Sequence, residues 1–334
     1  MIERWGREMP DVTVIGAGAW GTALALQAHR AGSRVRLWAR DPARAEQIAA
    51  TRHNPRLPAA TLPEDLTITP NLAATAGLVL LAVPMQHLRA VLSRLPETAG
   101  PLVACAKGLE TGTLRLPLEL IDELRPGAPA AVLTGPNFAH EIADGLPAAA
   151  VVAAADPALR DAVTARLSTQ SFRLYGNDDP VGAQIGGAAK NVVAIAAGVV
   201  IGAGLGENAR AALITRGLAE LARLAEALGG RRDTVMGLSG LGDLLLTCTG
   251  TSSRNFSLGV ALGRGERLSD VLAARSAVTE GVATAPALVA RAAGPGVAHP
   301  VELPICTAVT ALLAGNCTVA EAMAQLLSRP RRDE

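Results

Sequence analysis

A chain of 334 residues that is 49% hydrophobic and 18% charged has material for a large core and is not disordered. Its length suggests two domains. A net charge of +1, with no basic stripe interleaved with aromatics, argues against a nucleic-acid partner.

The opening stretch MIERWGREMP is charged and lacks the apolar core of a signal peptide. Met9 is a candidate start, with residues 1–8 an extension. From residue 11 to about 177, short apolar runs alternate with helical ones. VTVIG (12–16) reads as a strand, WGTALALQAHRAG (20–32) as a helix closed by Gly32, and RVRLWA (34–39) as a second strand. DPARAEQIAA (41–50) reads as a helix with Asp41 as N-cap and Pro42 in its first turn. LVLLAVP (78–84), LVACAKG (102–108), AAVLTGP (130–136) and AAAVVAA (148–154) are further strands. Apolar strands separated by helices predict a parallel, doubly wound α/β sheet.

After RLYGNDDP (173–180) the strand signal stops. In NARAALITRGLAELARLAEALGG, Ile214, Leu218, Leu221, Ala225 and Leu228 make one helical stripe that Gly229 and Gly230 end. The expected division is 1–179 for a dinucleotide-binding Rossmann domain and 180–334 for an all-helical domain. The uncharged stretch that follows Lys190 through Leu205 is short of the ~20 residues a membrane span needs, so it predicts a buried helix and no membrane insertion. Four scattered cysteines without C-x-x-C fit a reduced, cytoplasmic setting, and the five histidines show no metal-ligand spacing.

Gly16-x-Gly18-x-x-Gly21 follows a strand and opens a helix, the context in which this spacing binds a dinucleotide. Gly16 permits the turn, Gly18 admits the pyrophosphate, and Gly21 lets helix pack on strand. Arg40 at the tip of the second strand favours NADP over NAD, since a guanidinium accommodates a 2′-phosphate. Asp41 beside it suits either a ribose contact or a helix N-cap, which leaves NAD or dual use open.

Of 31 basic residues, 29 are Arg and two are Lys, Lys107 and Lys190. On a solvated surface the two types exchange freely, so the chain reads as having drifted to Arg. Where Lys persists, a Lys-specific property is expected: its ammonium can be tuned toward neutrality by burial, and a guanidinium cannot. Lys190 lies in GGAAKNVVAIAAG, where desolvation would lower its pKa and suit a general acid at a carbonyl oxygen. Lys107 lies at the carboxyl end of a strand, where ligands bind in a doubly wound sheet, so it is either a cation for cofactor or anionic substrate or a solvated loop lysine. Arg254 and Asn255 fall where a helix starts, a good phosphate cradle or an ordinary cap. Asp243, after Gly240 and Gly242, is either an N-cap or a partner for Lys190.

GAGAWGTALA, AKGLE, LTGPNFAHEI, QIGGAAKNVVAIAAG, NARAALITRGLAE, GLSGLGDLLLTCT, SSRNFSLG and VTEGVATA, in this order, resemble the bacterial NAD(P)-dependent glycerol-3-phosphate dehydrogenases from Val12 to about Leu327. The resemblance implies reduction of dihydroxyacetone phosphate to sn-glycerol 3-phosphate for phospholipid synthesis. It implies a Rossmann domain followed by a helical domain of the 6-phosphogluconate-dehydrogenase-like kind, and a homodimer. By resemblance, Lys190 is the catalytic lysine and Asp243 a catalytic and substrate residue. Lys107 touches cofactor and substrate, while Gly135, Asn137, Ser253, Arg254 and Asn255 bind substrate. Cofactor positions are Gly16, Gly18, Ala19, Trp20, Gly21, Arg40, Ala139, Arg254, Val278 and Glu280. Ala19 stands where the family has Ser, and Asn137 where it has Ser or Thr. Two other plans compete: a reductase of hydroxyacids or ketopantoate-like substrates, which needs a carboxylate site in place of SSRN, and a dinucleotide-binding redox sensor without turnover.

Overall fold

The computed structural model describes residues 11–97, 100–275 and 278–328, so the extension expected at residues 1–8 lies outside the described residues. The chain divides into two units. One takes the chain up to Lys107 and again Leu116–Pro180; the other takes Gly108–Arg115 and the chain from Val181 onward. The short loan of Gly108–Arg115 to the second unit is invisible in the sequence pattern, which reads as one uninterrupted α/β alternation there.

The strands of the first unit are β1 (Asp11–Ile15), β2 (Arg34–Trp38), β3 (His53–Asn54), β4 (Leu57–Thr61), β5 (Thr67–Thr69), β6 (Leu78–Leu81), β7 (Leu102–Ala104), β8 (Ala130–Thr134), β9 (Ala148–Ala153) and β10 (Phe172–Asn177). Eight of them form one sheet in the order β10-β9-β8-β7-β6-β1-β2-β5, and β3 pairs with β4 in a separate ribbon. Val12, Val14 and Ile15 of β1 and Leu80 and Leu81 of β6 are fully buried, as strands covered on both faces must be. The covering helices are α1 (Ala19–Arg30), α2 (Pro42–Thr51), α3 (Met85–Leu92), α4 (Pro117–Leu124), α5 (Ala139–Ala143) and α6 (Pro157–Leu167).

The sheet departs from the expected all-parallel plan at one place. β9 runs antiparallel to β8, with Leu133 opposite Val152, after a connection that contains only the short helix α5. β10 then pairs parallel with β9 and adds a strand the sequence pattern had not marked: polar residues alternate with Phe172 and Leu174 at this sheet edge.

The second unit is helical: α7 (Pro180–Gly202), α8 (Gly206–Ala227), α9 (Arg232–Met236), α10 (Asp243–Thr249), α11 (Arg254–Gly263), α12 (Leu268–Ala273), α13 (Glu280–Arg291), α14 (Pro304–Leu313) and α15 (Val319–Leu327). On α8, Ile214, Leu218, Leu221 and Ala225 are buried as the stripe predicts, and Gly229 ends the helix at φ 84°. α7 begins well before the uncharged run and reaches 23 residues, long and apolar enough to cross a membrane. Burial, not length, identifies it as a core helix: 89% of its most apolar window is inside the fold.

Small residues set how closely α7 is approached. A Cβ on Gly198 would lie 2.8 Å from Val260 N and 2.9 Å from the Cα of Gly259, and one on Gly263 would lie 2.8 Å from Ala203 N. Gly198 and Gly202 on α7 thus face Gly259 and Gly263 on α11, and the two backbones touch. At the other end of α7, a Cβ on Gly186 would lie 2.6 Å from Ser239 O and 2.9 Å from the Cα of Gly240.

Candidate active site

In the first unit, the glycine turn lies between β1 and α1. Gly16 sits at φ 118°, and a Cβ there would come 2.7 Å from Ala82 O. A Cβ on Gly21 would collide with the carbonyl of Gly16. Gly18 differs: it is exposed, caps α1 without a side chain, and a Cβ on it would meet nothing within 4 Å. The turn leaves an open cradle over uncapped helix N–H groups, which fits the pyrophosphate of a dinucleotide. Ala19, Trp20 and Ala139 pack against the core cluster under this turn.

Arg40 is exposed just beyond β2. The Asp41 carboxylate accepts from Ala43 N (3.1 Å), so its side chain is engaged as the N-cap of α2. At the carboxyl end of the sheet, Lys107 Nζ donates to Gly135 O (3.3 Å). Gly135 follows β8 at φ 139°, where a side chain would be strained and its Cβ would press on Ala150. Asn137 Nδ2 donates to Ala149 O (3.2 Å) while its Oδ1 is buried with no partner among the described residues. Its amide therefore serves the loop first, whatever else it touches.

In the second unit, Lys190 is 7% exposed and Asp243 is fully buried, and Lys190 Nζ donates to Asp243 Oδ1. The route from sequence to this pair is short. Gly186 and Lys190 lie one helical turn apart on the same face of α7. Gly186 admits the close approach of the π-helical turn Leu238–Gly242, and Asp243 follows that turn directly as the first residue of α10. The cap of α10 is Gly242 with no side-chain hydrogen bond, so of the two roles open to Asp243 its carboxylate takes the pairing one. An ammonium this deep needs its counter-charge, since an unpaired buried charge costs several kcal/mol. Cys248, one turn further along α10, is no competing nucleophile: burial pushes its thiol up to about 12, against the pull of Lys190.

The SSRN segment resolves into three tasks. Ser253 Oγ accepts from Phe256 N (3.2 Å) and is the N-cap of α11. Asn255 points inward: its Nδ2 donates to Asn191 Oδ1 (2.8 Å) and its Oδ1 accepts from Gly281 N (3.0 Å). It cross-links α7, α11 and α13 in the site's own framework. Arg254 is exposed at the first position of α11. Val278 is 52% exposed and Glu280 opens α13. Asn191 and Gly281 were missed in the sequence as members of this framework. Asn191 sat beside Lys190 in an apolar run, which is the one signal it gave. Among the described residues no cluster of metal-ligating side chains is present.

Two family models match this chain: NAD-dependent glycerol-3-phosphate dehydrogenase N-terminus over residues 11–160 and C-terminus over 179–324. A glycerol-3-phosphate dehydrogenase (NAD(P)+) of Gluconobacter oxydans is 55% identical over 324 residues, covering 96% of this chain and 98% of the relative. One of Acidiphilium cryptum is 56% identical over 325 residues, covering 97% and 98%. The crystal structure of glycerol-3-phosphate dehydrogenase from Coxiella burnetii superposes with a TM-score of 0.89 at 36% identity, covering 96% of this chain and 99% of that one. A ketopantoate reductase from Ralstonia eutropha, at 18% identity and a TM-score of 0.56, shares the fold alone.

Proposed function

Since the chain belongs to the NAD-dependent glycerol-3-phosphate dehydrogenase family, we propose that its buried Lys190–Asp243 pair carries the reduction of dihydroxyacetone phosphate to sn-glycerol 3-phosphate. The reaction is reversible and uses NAD(P)H, and the product feeds glycerophospholipid synthesis. A nicotinamide cofactor held at the glycine turn would supply a hydride for the carbonyl carbon. Lys190 delivers the matching proton to the carbonyl oxygen and takes it back in the reverse direction. Asp243 holds the ammonium at that oxygen. Lys107, fixed on the Gly135 carbonyl, orients the reacting end. Arg254 faces solvent at the start of α11 and holds the phosphate.

The glycine turn with Gly18, Ala19 and Trp20, together with Arg40, Ala139, Val278 and Glu280, makes up the cofactor positions. The cofactor domain is taken as residues 1–179 less the Gly108–Arg115 segment that belongs to the helical unit, and the substrate domain as that segment with 180–334. The engagement of Asp41 as a helix cap supports Arg40, and hence NADP, as the favoured match. Asn137 and Ser253 support the substrate loops through their backbone contacts. A homodimer in the cytoplasm completes the proposal, to be checked by sedimentation and cell fractionation.

The observation that carries this reading is a lysine paired with a buried carboxylate in a chain that otherwise writes Arg. The test is oxidation of NADPH and of NADH by dihydroxyacetone phosphate, for wild type and Lys190→Arg. Arg keeps the charge but not the transferable proton, so a loss of several decades in kcat is expected. Equal rates would remove Lys190 as the acid; no turnover by wild type would remove the substrate.

A further inference from the structure

Arg275 belongs to none of the roles assigned so far, yet its guanidinium closes on the turn that presents Arg254. One nitrogen donates to Arg254 O (2.6 Å) and reaches Thr279 Oγ1 (3.5 Å); the other donates to Ser257 Oγ (3.0 Å). Ser257 Oγ in turn donates to Arg254 O (3.2 Å), so the planar fork closes a ring around the first turn of α11. Thr279 is the N-cap residue of α13, directly between Val278 and Glu280. From inside the fold, Asn255 already pins the same turn to Asn191 and Gly281. Arg275 pins it from outside.

The charge matters as much as the fork. The Arg275 guanidinium is pulled below its ordinary value by partial burial and by the nearby positive charge of Arg254, with Glu266 opposing. Two cations side by side repel, and a phosphate dianion between or beside them relieves that repulsion.

Resting on the reading of Arg254 as the phosphate-holding residue, we propose that Arg275 is a positioning residue that fixes the Arg254 turn and adds a second positive charge to one phosphate site. The recognised chemistry is a phosphate, either of the substrate or at the ribose of the cofactor. A lysine at 275 would keep the charge but could not hold Arg254 O and Ser257 Oγ together.

The experiment compares wild type, Arg275→Gln and Arg275→Lys with four ligands: dihydroxyacetone phosphate, unphosphorylated dihydroxyacetone, NADPH and NADH. For Arg275→Gln the KM of the phosphate-bearing ligand should rise about tenfold or more while kcat changes little, because a charge-assisted contact is lost and the proton donor is not. kcat/KM for dihydroxyacetone should stay unchanged, a separation that general damage to the fold would not produce. A rise for dihydroxyacetone phosphate with NADH assigns the site to the substrate. A rise confined to NADPH assigns it to the ribose phosphate. Arg275→Lys should fall between the two and retain the salt dependence of KM, and it carries the test alone if the Gln variant does not fold. Unchanged KM values in both variants, or equal losses with phosphorylated and unphosphorylated substrate, overturn the proposal. Absence of wild-type turnover with dihydroxyacetone phosphate would instead fault the assignment of the reaction.

Discussion

Gly18 of the β1–α1 turn and the glycines along α7 and α11 do opposite things, while Gly16 and Gly21 beside Gly18 are packed against backbone. At Gly18 a methyl group would stand in open space, whereas at Gly198 it would press into the backbone of α11. Gly18 in the first unit borders open space at the N-terminus of α1. The second unit uses glycine to remove the last gap between two helices. A glycine is therefore informative only with its surroundings: at Gly18 it borders open space, at Gly198 it is part of the packing.

The strongest way to break this contrast is Gly198→Ala. By helix propensity alone the change should stabilise by roughly 1 kcal/mol. Here the new methyl would lie 2.8 Å from Val260 N, so α11 must shift away from α7. We expect a loss of about 3 kcal/mol, the upper end of what overpacking costs, read as a lower denaturation midpoint with the m-value unchanged. Because α11 carries Arg254, KM for dihydroxyacetone phosphate should rise in the fraction that folds. A stabilised Gly198→Ala protein would show that the helices are not in backbone contact.

A second sharpening concerns charge. The closed packing of the helical unit also buries Glu220 of α8, 2% exposed, whose carboxylate accepts from Ile305 N (2.7 Å) and Cys306 N (3.3 Å) at the start of α14. Burial raises its pKa to about 7, outweighing those two hydrogen bonds. The folded state thus holds the proton more tightly than the unfolded chain. Glu220's contribution is fully present below about pH 4.5 and is lost as pH rises to about 7, by about 3 kcal/mol in all. Urea unfolding between pH 4.5 and 8 should show that slope in wild type and not in Glu220→Gln. The same slope in both proteins would place its origin elsewhere.

Much of the site was legible because its chemistry is written in unusual residues. Lys190 stood out by type and setting, and the glycine turn by its place between strand and helix. The packing glycines were not legible, since in sequence Gly198, Gly202, Gly259 and Gly263 read only as weak helix formers. Nor was the work of Arg. Much of the preference for Arg looked like surface drift, but some side chains act as two-pronged donors to carbonyl groups at the ends of elements. Arg30 holds Ile142 O (2.5 Å) with one nitrogen and Ala143 O with the other at the end of α5. Arg125 holds Leu92 O with Nε (3.2 Å) and Nη2 (2.7 Å) together, and Leu95 O as well, after α3. A single ammonium lacks the planar fork for such a task. The reason for the bias lies in which carbonyls are left over by the tertiary fold, and no local pattern reports that. Asn255 adds a task the sequence does not report: its side chain faces inward and joins α11 to α7 and α13.

The smallest expected effect tests the open end of the contrast. Gly18 has φ −80° and ψ 178°, which any residue adopts, so Ala at this position strains nothing in the free protein. Nothing lies within 4 Å of the added methyl. Gly18→Ala should therefore unfold within about 0.5 kcal/mol of wild type. The methyl would instead stand where the pyrophosphate approaches the N-terminus of α1. Affinity for NAD(P)H should fall about tenfold, measured by quenching of Trp20 fluorescence or by calorimetry, which needs no turnover. ADP-ribose, which keeps the pyrophosphate and lacks the nicotinamide, should lose the same factor. If ADP-ribose binds Gly18→Ala as it binds wild type, the space beside Gly18 is not where the phosphates sit. The turn would then be packing after all, like the glycines of α7.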